Sequence, residues 1–114
     1  MTYSKHSGRK VDELDGRIRE AAQRNKFGVL HVHDLTATLK GKGIELGHEC
    51  RVYDVCNPQA ASEALRSDPR IAAVLPCRIA VTGDASGATL STVRPTDLLR
   101  ATGLAGVEKI ASEV

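Results

Sequence analysis

From Val11 the apolar residues recur at Leu14, Ile18 and Ala21, with Asp12, Glu13, Arg17, Arg19, Glu20 and Arg24 between them. That spacing predicts one amphipathic helix from about Lys10 to Arg24. Acidic residues in its first turn and basic ones near its end suit the helix dipole, while Gly16 inside it costs roughly 1 kcal/mol against Ala. Phe27 to His33 predicts a short strand. Asp34 then serves as an N-cap for a helix carrying Leu35 and Leu39, which Gly41 and Gly43 stop. Cys50 to Cys56 predicts a second strand, and Asn57-Pro58 opens a helix with an apolar stripe of Ala61, Ala64 and Leu65. Asp68-Pro69 ends that helix.

Ile71 to Thr82 contains the clearest alternation. Cys77, Ile79 and Val81 occupy one parity, Arg78, Ala80 and Thr82 the other, so Cys77 is expected to face the core. Pro76 lacks a ladder donor and marks that end as an edge or a bulge. Gly83 to Gly87 predicts a turn longer than a two-residue hairpin, with Ala88 to Val93 as the returning strand. A short helix carrying Leu98 and Leu99 is expected to begin at Arg94 to Asp97. Leu104 to Val114 forms a tail with helical spacing at Val107 and Ile110. The order predicts an α+β fold of two layers, a mixed sheet of about four strands with helices packed mainly on one face. Residues 1–9 read as a flexible segment, 10–103 as a single domain and 104–114 as a tail.

Composition narrows the functions rather than the fold. The 114 residues suffice for one small domain, and 16 basic against 14 acidic residues leave a formal charge of +2. A dedicated nucleic-acid binder needs a more concentrated basic face. With two Tyr, one Phe and no Trp, a base-stacking platform or an aromatic cage has no rings to draw on. The N-terminal residues have no apolar stretch of signal-peptide length. The run Ile71 to Pro76 is far short of the roughly 20 residues that span a bilayer. The expectation is a cytoplasmic protein without a membrane partner, its three cysteines reduced and none of them in a Cys-x-x-Cys pair.

Three sets of residues are candidates for chemistry. Cys56 and Asn57 sit at a helix N-terminus, where N–H groups and the dipole favour an anion or a thiolate; a small buried residue followed by a cap is the commoner arrangement, since free Cys is among the most buried residue types. Cys77 either packs in the core or, if its strand neighbours that of Cys56, joins it at a shared site. His31 and His33, one residue apart on a strand, share a face that either stands in water or holds a transition metal or haem, with His48 as a further ligand. On that strand Leu30 and Val32 claim the core side, while Val29 has the parity of the histidines. No phosphate loop, nucleophile elbow or catalytic carboxylate pair is present.

Phe27-Gly28-Val29-Leu30, Asp34, Thr38-Leu39-Lys40, Cys56-Asn57-Pro58, Ala64, Asp68-Pro69 and Leu75-Pro76-Cys77 occur in that order. This series, spanning about Val11 to Leu99, resembles the domain-of-unknown-function family 302. The resemblance implies a compact α+β domain, often a homodimer, with Cys56 and Cys77 belonging to the family pattern. The chain departs from that pattern at His31, His33 and His48, and at Cys50, where an aromatic is usual. These departures are either drift or the mark of a haem or metal site. Three readings follow. The first is a non-enzymatic module binding a small molecule near Cys56, Asn57 and Cys77. The second is a haem or metal protein using His31, His33 or His48. The third is a thiol redox protein using Cys56 and Cys77. A thin core with three aromatics also favours a homodimer that buries a shared face.

Overall fold

The computed structural model describes residues 2–94 and Asp97. The helix expected around Leu98 and Leu99 and the tail 104–114 lie outside the described residues. Five strands form one sheet: β1 (Thr2–Ser7), β2 (Gly28–Asp34), β3 (Cys50–Cys56), β4 (Cys77–Asp84) and β5 (Gly87–Val93). Their order across the sheet is β1-β5-β4-β3-β2, and every neighbouring pair is antiparallel. Three helices, α1 (Val11–Arg24), α2 (Leu35–Lys40) and α3 (Pro58–Ser67), and a 3-10 turn over Pro69–Val74 complete the described chain.

The sheet therefore differs from the mixed, four-stranded one that the pattern predicts. Helices between neighbouring strands suggest parallel crossovers. Here α2 with its following loop, and α3 with the 3-10 turn, instead return the chain beside the strand it has just left. Only β1-α1-β2 is a crossover among the described elements, joining two parallel strands at opposite edges of the sheet. The fifth strand is β1, within the segment read as flexible. Its residues Tyr3 to His6 are polar or exposed on both parities, so no hydrophobic alternation announces it. Backbone pairing with β5, from Thr2↔Val93 to Ser7↔Ala88, holds it instead.

Local chemistry accounts for the element ends. Asp34 Oδ1 accepts from Ala37 N at 3.0 Å and Asn57 Oδ1 from Ala60 N at 3.2 Å, capping α2 and α3 as expected. Asp68 Oδ1 accepts from Arg70 N at 3.0 Å, which starts the 3-10 turn and takes Ile71 to Val74 out of the strand expected there. The β4–β5 connection is also tighter than expected. Asp84 pairs with Gly87 across a two-residue loop, because the Asp84 carboxylate accepts from both the N–H and the hydroxyl of Ser86 at 2.8 Å. Gly87 has φ +137°, and a Cβ there would stand 2.1 Å from Ser7 O, so only glycine lets β1 pass so close.

The core lies between α1 and one face of the sheet. Val11, Leu14 and Ile18 pack on Tyr53, Val55, Val81 and Ala88, with Phe27, Val29, Val32, Cys77, Ile79 and Leu90 around them. Cys77 thus faces the core, as its parity predicts. β2 reaches the same face by a different route. Its register slips between Val29 and His31, so Leu30 is the extra residue of a bulge and stands 63% exposed. Val29 and Val32 therefore both turn inward, which corrects the expectation that Leu30 joins the core and that Val29 sides with the histidines.

Candidate functional site

The alternation that sends Tyr53 and Val55 toward α1 sends Val52 and Asp54 to the opposite face. Register places Arg78 across from Asp54 on one side and His31 on the other, with Ala80 and His33 flanking Val52. The sheet thus brings His31, Asp54 and Arg78 into one cross-strand row, with His33 one row along on the same face.

Asp54 is only 8% exposed, the one buried charged residue among those described. His33 Nε2 meets its Oδ2 at 2.7 Å. Arg78 Nε lies 3.3 Å from Oδ1, within ion-pair distance but without hydrogen-bond geometry, so Oδ1 has no hydrogen-bond partner. A buried carboxylate oxygen held by charge attraction alone is an uncommon arrangement. The Arg78 side chain is itself 67% exposed. His31 stands edge-on to His33, with ring centroids 4.4 Å apart.

Beside this row is a cleft of about 460 Å³, a size typical of small-molecule sites. Val52, Leu75, Pro76, Ala80 and Val93 supply its apolar walls, and among the described residues Arg78 is the only charged one that lines it. Its two hydroxyls already have partners: Ser91 Oγ bonds Ser4 Oγ at 3.0 Å, and Thr92 Oγ1 donates to Arg78 O at 2.7 Å.

Cys56, Asn57 and Cys77 are near one another but do not line this cleft. Cys56 pairs with Gly28 and Cys77 with Val55, so the two cysteines lie one register step apart on adjacent strands. Burial, and then the neighbouring Cys56, push the Cys77 thiol above its ordinary pKa. All three cysteines are free. The Asn57 side chain caps α3. His48 stands apart from His31 and His33, in the loop before β3, lining a second depression with Glu49, Gly83 and Asp84. Its carbonyl accepts from Thr36 Oγ1 at 3.0 Å, while Cys50 N donates to the same hydroxyl at 2.7 Å. Among the described residues, no group of three or more His, Cys, Asp or Glu side chains is arranged to hold a metal ion.

The sequence reading singled out neither Asp54 nor Arg78. One signal was present: an acid in the middle of the apolar stretch Val52-Tyr53-Asp54-Val55 is out of place in a strand unless it is paired. Its partners depend on strand register, which a single chain's spacing does not give.

A family model described as "Domain of unknown function DUF302" matches residues 3–114. The crystal structure of an uncharacterized conserved protein DUF302 from Bacillus stearothermophilus is similar to this chain with a TM-score of 0.91 and 25% sequence identity, covering 98% of this chain and 88% of the other. No curated protein matches. Among the described residues no helix is long and apolar enough to cross a membrane.

Proposed function

The chain belongs to the DUF302 family of domains of unknown function, and from that premise we propose that it is a small-molecule-binding module whose site is the cleft at the Cys77 end of β4. The observation that carries this reading is the cleft itself: apolar walls from Val52, Leu75, Pro76, Ala80 and Val93 converge on a single charged side chain, Arg78. A concave apolar surface with few oriented polar groups is the usual form of a ligand site. Cys77 follows the Pro76 wall in the chain, and Asn57 caps the start of α3, which follows β3. This narrows the part of Cys56, Asn57 and Cys77 to framing the site rather than touching the ligand. The protein acts as a cytoplasmic homodimer in this reading. Light scattering at tens of micromolar should return twice the chain's 12.2 kDa mass, and a monomer mass would remove the dimer.

Nile red, a neutral apolar dye, tests the cleft. Its emission should rise and shift to the blue with the native protein. Ala80→Leu, which fills the cleft with three added carbons, should suppress that change while leaving the melting temperature within a few degrees. A native protein that leaves the dye's emission unchanged would defeat the reading.

A second reading rests on register: Cys77 pairs with Val55, the residue next to Cys56 in β3. The pleat gives the two side chains opposite parities, so they form a redox pair only if the chain turns at this end of β3 to bring the sulfurs together. Mild oxidation by diamide should then remove two of the three titratable thiols and link the peptides carrying Cys56 and Cys77. Three thiols surviving the treatment would set it aside. The haem or metal reading has less support, since His33 is already engaged by Asp54 and His48 lies elsewhere. A sharp Soret band on addition of hemin, lost in His31→Ala, would restore it.

A further inference from the structure

We infer that the cleft takes an amphipathic monocarboxylate, its carboxylate held by Arg78 and its hydrocarbon portion lying on Val52, Leu75, Ala80 and Val93. This rests on the reading of the cleft as a binding site and names the ligand class for it.

The argument starts from the donors that face the cleft. Thr92 Oγ1 already donates to Arg78 O and Ser91 Oγ already pairs with Ser4 Oγ, so among the described lining residues the one charged donor is the Arg78 guanidinium. Among the described residues Asp54 is its one ion-pair partner, reached through Nε at 3.3 Å. A guanidinium approached at Nε keeps its two Nη groups as a planar fork, whose spacing matches the two oxygens of a carboxylate. Asp54 itself is fixed on its other oxygen by His33 at 2.7 Å. The buried acid is therefore a positioning residue: it orients Arg78 from behind and leaves the outer edge of the fork toward solvent. With a side chain 67% exposed, Arg78 can take a ligand without first breaking a buried contact.

Charge sets the headgroup. Among the described residues one cation lines the cleft, partly offset by Asp54, which matches a single negative charge; a phosphate dianion would call for a second cation or a cluster of backbone N–H groups. The walls set the remainder. A sugar or a peptide would leave its polar groups facing Val52, Leu75, Pro76, Ala80 and Val93 without partners, at a cost for each buried group. An aliphatic or aryl-alkyl chain loses nothing there.

Displacement of Nile red by octanoate and by 1-octanol separates this inference from the reading beneath it. The two compounds share a hydrocarbon portion and differ in charge. Octanoate should displace the dye from the native protein at a concentration at least tenfold lower than octanol. Arg78→Gln should bring the two to parity, with octanol unchanged. Arg78→Lys, which keeps the charge and loses the fork, should fall between them. Equal displacement by both compounds from the native protein, or octanoate preference surviving in Arg78→Gln, overturns the carboxylate assignment and leaves the cleft as a neutral apolar site. Dye that binds but yields to neither compound also overturns it. A native protein that binds no dye at all removes the cleft as a site, and the assignment with it.

Discussion

The two faces of β3 resolve their polar groups in opposite ways. Toward α1, Tyr53 is fully buried, yet its hydroxyl donates to Asp15 Oδ1 at 2.7 Å, and Arg51 pairs with Asp12. Both of these polar groups are met by an acid of α1, the two acids lying three residues apart on the helix. On the other face Asp54 is nearly as buried, but one of its oxygens has no hydrogen bond and its cationic neighbour points into solvent beside a cleft. Adjacent residues of one strand thus belong to a finished core and to a surface whose bonding capacity is not used up. On the proposed reading, stability and binding are separated by a single step of the pleat, so substitutions on the two faces should act on different observables.

The largest expected effect tests that separation directly. Tyr53→Ala removes a buried ring and leaves Asp15 Oδ1 without its donor, and should cost about 3–5 kcal/mol. Val52→Ala, one residue away on the open face and only partly buried, should cost only about 1 kcal/mol while weakening Nile red binding. Urea denaturation of both variants makes the comparison. Equal losses would mean that the open face is as much a core as the α1 face. The thiols give a second contrast. Cys77, on the α1 side and with its thiol pKa raised by burial and by Cys56, should be the slowest of the three cysteines to react with iodoacetamide at neutral pH. Peptide mass mapping ranks them, and Cys77 labelled first would place its sulfur on the wrong side of the sheet.

Much of the α1 face was legible in the sequence. The spacing of Val11, Leu14 and Ile18 gives the helix and its buried stripe, and Cys77, Ile79 and Val81 give the strand face that receives it. Caps at Asp34 and Asn57 were legible because they depend on neighbours three residues away. The open face was not, because what joins Asp54 to His33 and Arg78 is register between strands that lie far apart in the chain. A bulge at Leu30 also inverts the parity on which the histidines' neighbours were judged. The edge strand β1 was invisible for a related reason: its stability comes from backbone pairing with β5, and backbone hydrogen bonds leave no trace in the pattern of side chains.

Acid sensitivity should report on the α1 face in a smaller measure. The Tyr53 hydroxyl, followed by Arg19, holds the Asp15 carboxyl below its ordinary 3.8. A folded-state pKa below the unfolded one contributes stability that is fully present above the unfolded value. That contribution is lost as pH falls from 3.8 through the lowered folded value. Asp15→Asn should therefore reduce the loss of stability on the acid side and leave its slope near neutral pH unchanged. Denaturation midpoints collected between neutral pH and the acid limit read this out, and superimposable acid limbs for the two proteins would remove Asp15 from the account. Since Asp15 is partly exposed, the difference should shrink in high salt.

The smallest stability change is expected at the most buried charge. Asp54→Asn keeps an oxygen that can accept from His33 and removes the negative charge that burial penalises. What it gives up is an ion pair to a largely exposed Arg78, a kind of contact worth about 0–1 kcal/mol. Relief of the buried charge offsets that loss, because a carboxylate with one oxygen lacking a hydrogen bond gains little from its surroundings. The two terms should leave urea midpoints within about 1 kcal/mol of the native protein. The same substitution frees Arg78 from its anchor, so the preference for octanoate over octanol should fall even though the fold hardly notices. A loss of several kcal/mol would place Asp54 with Tyr53 as a residue that holds the sheet together. The contrast between the two faces of β3 would then be one of degree rather than of purpose.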